Sequence, residues 1–157
     1  MLAGPGGLCP PATLKQVAAT EKALGFPLHE THRELLLRVA NGGFGPGYGL
    51  LGVGTAPRGE TSCLATWRRL NGGDTSIFPA ETAPLWDFGC ACWVLVHATS
   101  PAGTIRYTTS YGVYELQEGI CEIMTAWLEG REVYEMLFDK KRAPMKWGIN
   151  PFTKERL

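Results

Sequence analysis

The chain lacks net charge: 15 Lys and Arg residues meet 15 Asp and Glu residues in 157 positions. A zero balance gives no electrostatic footprint for nucleic acid or for an anionic membrane, so neither is expected as a partner. Long apolar runs are missing as well. None approaches the roughly 18 residues that a membrane-spanning helix needs. The opening MLAGPGGLCPP has neither a basic stretch nor an apolar core, so no secretory leader is expected there. No C-x-x-C pair occurs, which removes the commonest zinc-binding arrangement. The glycine-rich run from Gly42 to Gly47 lacks the Gly-Lys-Ser/Thr ending of a phosphate loop and precedes a strand instead of opening a helix. Cys9, Cys63, Cys90, Cys92 and Cys121 are odd in number and scattered, which fits reduced thiols in a cytoplasm.

What is present is a domain-sized chain, long enough to bury roughly 70% of its unfolded surface without disulfide or metal staples. Residues 1–12, rich in Gly and Pro, read as a loose lead-in. Residues 13–138 carry the regular structure, and 139–157 form a basic, irregular tail interrupted by Pro144 and Pro151. Thr13 is placed to N-cap a first helix with Leu14, Val17, Ala18 and Leu24 inward, and Gly25 stops it. A second helix packs through Leu28, Leu35, Leu36 and Val39 and ends at Asn41-Gly42-Gly43, with His29 and His32 on a solvated face. Tyr48 to Val53 suggests a short strand. A third helix runs over about 61–70, capped by Thr61 or Ser62 and buried through Cys63, Leu64, Trp67 and Leu70. Residues 74–87 read as loop. The segment 90–98 is apolar on both faces, as in an interior strand, and makes a hairpin with 104–109; 111–116 is a further strand. Ile120, Ile123, Met124, Trp127 and Leu128 recur at helical spacing up to Gly130, and a shorter helix follows to Phe138. The order α-α-β-α-β-β-β-α-α predicts a single α+β domain with an antiparallel sheet flanked by helices.

Three blocks carry a resemblance. Glu21-Lys22-Ala23-Leu24-Gly25 leads through a Phe26-Pro27 turn and the second helix into Asn41-Gly42-Gly43. Asp87-Phe88-Gly89-Cys90 precedes a strand and a hairpin at Gly103. Ile123-Met124-Thr125-Ala126-Trp127-Leu128-Glu129-Gly130 closes the set. Taken in this order the chain resembles the SUKH superfamily over residues 13–138. That group contains the yeast Smi/Knr-type cell-wall regulator and many bacterial immunity proteins. The resemblance implies a non-enzymatic protein-binding module, an immunity-type protein that neutralises a toxin domain, with a regulatory scaffold of the yeast type as the alternative.

Chemistry is weighed beside it. Cys90 and Cys92 alternate on one strand face with Val94 and Val96, away from His97, so they read as small core residues; a thiol-dependent hydrolase using either is the less favoured reading. No catalytic set, cofactor site or metal site is expected. The helices are expected to cover one face of the sheet and leave the other open, bordered by the loops around 44–54 and 74–87. On that face Tyr48, Trp86, Asp87 and Arg106 are the expected partner-binding residues.

Overall fold

The structure, a computed structural model, describes residues 8–55, 62–71, 80–99, 104–108 and 112–138, with the backbone alone described over 104–108 and 112–115. The expected start of the lead-in, most of the loop at 74–81, the hairpin turn at 100–103 and the basic tail lie outside the described residues. Helices α1 (Leu14–Leu24) and α2 (Glu30–Arg38) come first, then β1 (Gly49–Leu50) and α3 (Cys63–Asn71). Strands β2 (Thr82–Asp87), β3 (Cys92–His97), β4 (Thr104–Thr108) and β5 (Gly112–Glu115) follow, and α4 (Ile120–Leu128) and α5 (Val133–Phe138) close the order. Among the described residues the five strands are antiparallel and lie in the sheet in chain order. The chain is thus an α+β domain with one more strand than its sequence suggests.

The additional strand is β2, which lies in the stretch 74–87 that reads from sequence as loop and contains two prolines, Pro79 and Pro84. Proline cannot donate to a ladder, so a central strand normally excludes it. Here β1 pairs only with Trp86 and Asp87, which leaves Pro84 beside no β1 partner. The register against β3 also slips between Pro84 and Trp86, a bulge that takes up Leu85.

Local signals set several helix ends as expected. Thr13 and Gln16 form a reciprocal capping box, and Gly25 ends α1 in the left-handed conformation. Ser62 Oγ accepts from Ala65 N at 3.2 Å at the start of α3. Gly130, at φ +73°, stops α4. The inward faces differ more. On α1 the buried residues are Val17, Thr20 and Leu24, while Leu14 is exposed. On the α1–α2 corner the buried register is Leu28, His32, Leu36 and Ala40, every fourth residue, and Val39 is exposed. His32 is therefore a core residue and not part of a solvated face. The last part of the lead-in is also tied down: Ala12 N donates to Leu36 O at 2.8 Å, Asn41 N donates to Pro10 O at 3.0 Å, and Cys9 and Ala12 are buried.

Both faces of the sheet are covered at β3. Val94 and Val96 join the main core with Trp86, Leu36 and Ile123. Trp93 and Leu95 point the other way and pack against Trp67 and Leu70 of α3, with the Arg69 guanidinium 5.6 Å from the Trp93 ring centre. The open sheet face expected from sequence is replaced here by α3.

Candidate functional site

Two surface features meet at Trp127. The first is a knot of turns. Gly47 and Tyr48 press edge-on against the β2–β3 hairpin: Tyr48 N donates to Asp87 O at 2.7 Å, Phe88 N donates to Cys92 O at 2.9 Å, and Cys92 N donates to Gly89 O at 2.8 Å. Asp87 Oδ1 accepts from Gly89 N at 2.7 Å, so the carboxylate is engaged in holding the turn. Gly89, Cys90 and Ala91 all have positive φ, a conformation that costs a non-glycine residue about 1 kcal/mol or more. Beside this knot is a shallow hollow of about 290 Å³ bounded by Tyr48, Phe88, Trp127, Arg131 and Tyr134. Phe88 stacks edge-on to Phe138 at 5.1 Å, and Tyr134 lies over Phe138 at 4.9 Å.

The second feature is larger. Between α2 and α4 runs an open groove of about 570 Å³, with Phe44, Leu35, Val39, Met124, Trp127 and Leu128 among its walls. It opens because the apolar stripe of α4 is too wide for one core. Ile123 and Leu128 stand about 140° apart around the helix axis. Ile120, Ile123 and Ala126 are buried, Met124 and Trp127 are half-buried, and Leu128 is 66% exposed. Across the groove Val39 is 42% exposed, and Leu8 projects from the segment before α1.

The expected partner-binding residues fall into three situations. Tyr48, 79% exposed, and Asp87 come together in the turn knot. Trp86 does not belong there: it is fully buried in the main core, so its expected role as a surface anchor is corrected to packing. Arg106 pairs in register with Val94 and Tyr114, and its side chain lies outside what is described. From sequence Leu35, Val39, Met124, Trp127 and Leu128 read as inward packing residues of their helices and not as a binding surface, although the width of the α4 stripe and the Leu35-Leu36-Leu37 run on α2 both signal surplus apolar surface.

Titratable groups add little chemistry. His32 is held down to about 3 by burial, with His29 adding to the effect and the Leu51 backbone opposing it. Burial pushes the Cys63 thiol up to about 12, an inert thiol at any ordinary pH. Cys90 sits exposed in the hairpin turn, outside the strand in which sequence placed it, and Cys92 is buried. His97 lies at the far end of β3, about 16 Å along an extended strand from Cys92. Among the described residues no group of three or more His, Cys, Asp or Glu side chains is placed to hold a metal ion. No protein-family model, curated protein or solved structure matches the chain.

Proposed function

We propose that this chain is a protein-binding module that works by gripping a polypeptide partner, without turnover. Its resemblance to the SUKH superfamily gives that reading a specific form, an immunity-type protein that binds and neutralises a toxin domain in a bacterial cytoplasm. The observation that carries it is the α2–α4 groove. Its accessible walls are apolar, whereas sites for small substrates and cofactors carry a few convergent polar groups that orient the ligand. Monomers rarely leave contiguous apolar surface uncovered unless something docks on it. The neighbouring Tyr48 and Arg131 supply the aromatic and arginine side chains in which partner surfaces are enriched. A regulatory scaffold would use the same groove; finding a toxin gene beside this one would favour the immunity form.

The test uses the tagged full chain as bait in its native host, beside a Leu128→Glu variant with an unchanged melting curve. A single protein retained by the wild type and lost by the variant supports the reading. Equal retention by both, or no protein retained while a small molecule is consumed, contradicts it.

A further inference from the structure

The hollow beside the turn knot is lined differently from the groove. Tyr48, Phe88, Trp127 and Tyr134 place four aromatic side chains around about 290 Å³, and Arg131 and Glu132 add charge. That volume lies just below the roughly 300–1,000 Å³ of small-molecule pockets, so it suits part of a longer ligand better than a whole small one. Its walls are set in advance. Tyr48 N donates to Asp87 O at 2.7 Å, which fixes the Tyr48 backbone against the hairpin. Phe88 and Tyr134, 6.2 Å apart between ring centres, both pack on Phe138. Tyr48 and Tyr134 are nonetheless exposed, and so forgo the burial that aromatic rings supply when a partner covers them.

Two properties of the lining narrow the ligand. The Tyr48 hydroxyl, the Trp127 indole N–H and the Arg131 guanidinium can all donate, while the side chain there that only accepts is the Glu132 carboxylate. An ordinary extended peptide brings an N–H with every residue, more than this lining can satisfy. A proline run brings carbonyls without N–H groups. Its polyproline II form also exists before binding, so little ordering entropy is lost on a shallow surface. Charge is the second property. Arg131 Nε already faces Glu129 Oε2 at 2.9 Å, whereas Glu132 has no ion pair among the described residues. That carboxylate favours a cation on the ligand.

We propose that the hollow binds a proline-rich segment of a partner protein in polyproline II form, with a basic residue of that segment beside Glu132. Aromatic-lined surfaces are a recurrent way of recognising such segments. The hollow and the α2–α4 groove share Trp127, but this assignment does not rest on the groove being a partner surface.

The test adds the full-length chain to a nonaproline peptide with an N-terminal arginine and a C-terminal fluorescein, read by fluorescence anisotropy. Saturable binding is expected, with a glycine–serine peptide of equal length and charge bound at least about tenfold more weakly. Tyr48→Ala, at an exposed residue whose loss leaves the fold intact, is expected to weaken binding about fivefold or more. Glu132→Gln is expected to weaken the arginine peptide about threefold and to leave a glutamine-headed version unchanged. Leu128→Glu, which blocks the groove, should leave the affinity within about twofold, so failure here and failure of the bait experiment are separable. The proposal is overturned if no saturation appears by about 1 mM, or if the glycine–serine peptide binds equally well. It is also overturned if Tyr48→Ala or Glu132→Gln changes nothing, or if Leu128→Glu alone abolishes binding, which would assign the peptide to the groove. Tighter binding of a trimethyl-lysine peptide would overturn it too, and give the four rings to a quaternary ammonium.

Discussion

The Asn41 side chain clasps the Val53 backbone at both its N–H and its C=O: its Oδ1 accepts from Val53 N at 2.7 Å and its Nδ2 donates to Val53 O at 3.0 Å. Asn41 is 4% exposed and Val53 is fully buried, so no water replaces either bond. The amide stands in for a strand partner where the chain leaves β1, and the Gly52 backbone runs so close that a Cβ there would lie 2.6 Å from Asn41 O. Asn41→Ala leaves a buried donor and a buried acceptor unmade, at about 1–3 kcal/mol each. Urea unfolding is expected to show a loss of about 2–6 kcal/mol; a loss under about 1 kcal/mol would mean that the clasp is replaceable.

Tyr48 and Gly89 make a coupled pair. A Cβ on Gly89 would sit 2.4 Å from Tyr48 Cε2, and Gly89 has φ +71°. Gly89→Ala therefore carries both a conformational cost of about 1 kcal/mol and a collision with the ring. Tyr48→Ala, at a residue 79% exposed, is expected to cost little alone and to reduce the penalty of Gly89→Ala to its conformational part. A double-mutant cycle with no coupling would show that the ring swings away freely.

His32 sets a pH dependence whose sign follows from its burial. Its folded-state value is lowered to about 3, against about 6.5 in the unfolded chain. Between those limits the unfolded state binds a proton that the folded state does not, so stability falls as pH drops through the window. The slope approaches about 1.4 kcal/mol per pH unit. Comparing wild type with His32→Leu cancels the carboxylates common to both. From pH 6 to pH 4 the wild type is expected to lose about 2–3 kcal/mol more than the variant. Parallel losses would place His32 in contact with solvent or with a strong acceptor.

The α4 stripe divides into a structural side and a recognition side. Ile123, fully buried, is expected to cost about 2–5 kcal/mol on replacement by Ala. Trp127 is half-buried, which lowers the expected cost of Trp127→Ala to about 2 kcal/mol from the 3–5 kcal/mol of a fully buried tryptophan. Leu128→Ala is expected to stay within about 0.5 kcal/mol, since the side chain is 66% exposed. If denaturant unfolding ranks Leu128 with Ile123, the groove is closed in solution.

Much of the framework was legible because its causes are local. Thr13, Gly25 and Gly130 announce their helix ends through caps that depend on a few neighbouring residues. β2 was hidden because Pro84 is tolerated only through the shortness of β1 and the bulge at Leu85, both properties of the assembled sheet. His32 escaped because a pattern search counts apolar residues, while the buried register of α2 admits an imidazole. Tyr48 and Asp87 read from sequence as residues bordering one sheet face, in the segments 44–54 and 74–87, and their contact follows from the pairing of β1 with β2. Trp86 reads as a rim residue until β2 forms, because its register with Val94 is what turns it into the main core with Leu36 and Ile123. The groove depends on α2 meeting α4 across the whole domain, a tertiary fact that periodicity within either helix leaves open.

The central claim is that partners bind at the α2–α4 groove. The most direct measurement places a photo-crosslinking amino acid singly at Val39, at Leu128 or at Lys22, an exposed position on α1 away from the groove. The full chain is then irradiated in its native host. The account predicts one shared protein adduct from Val39 and Leu128 and none from Lys22. Adducts of equal yield at all three positions, or an adduct at Lys22 alone, would contradict it.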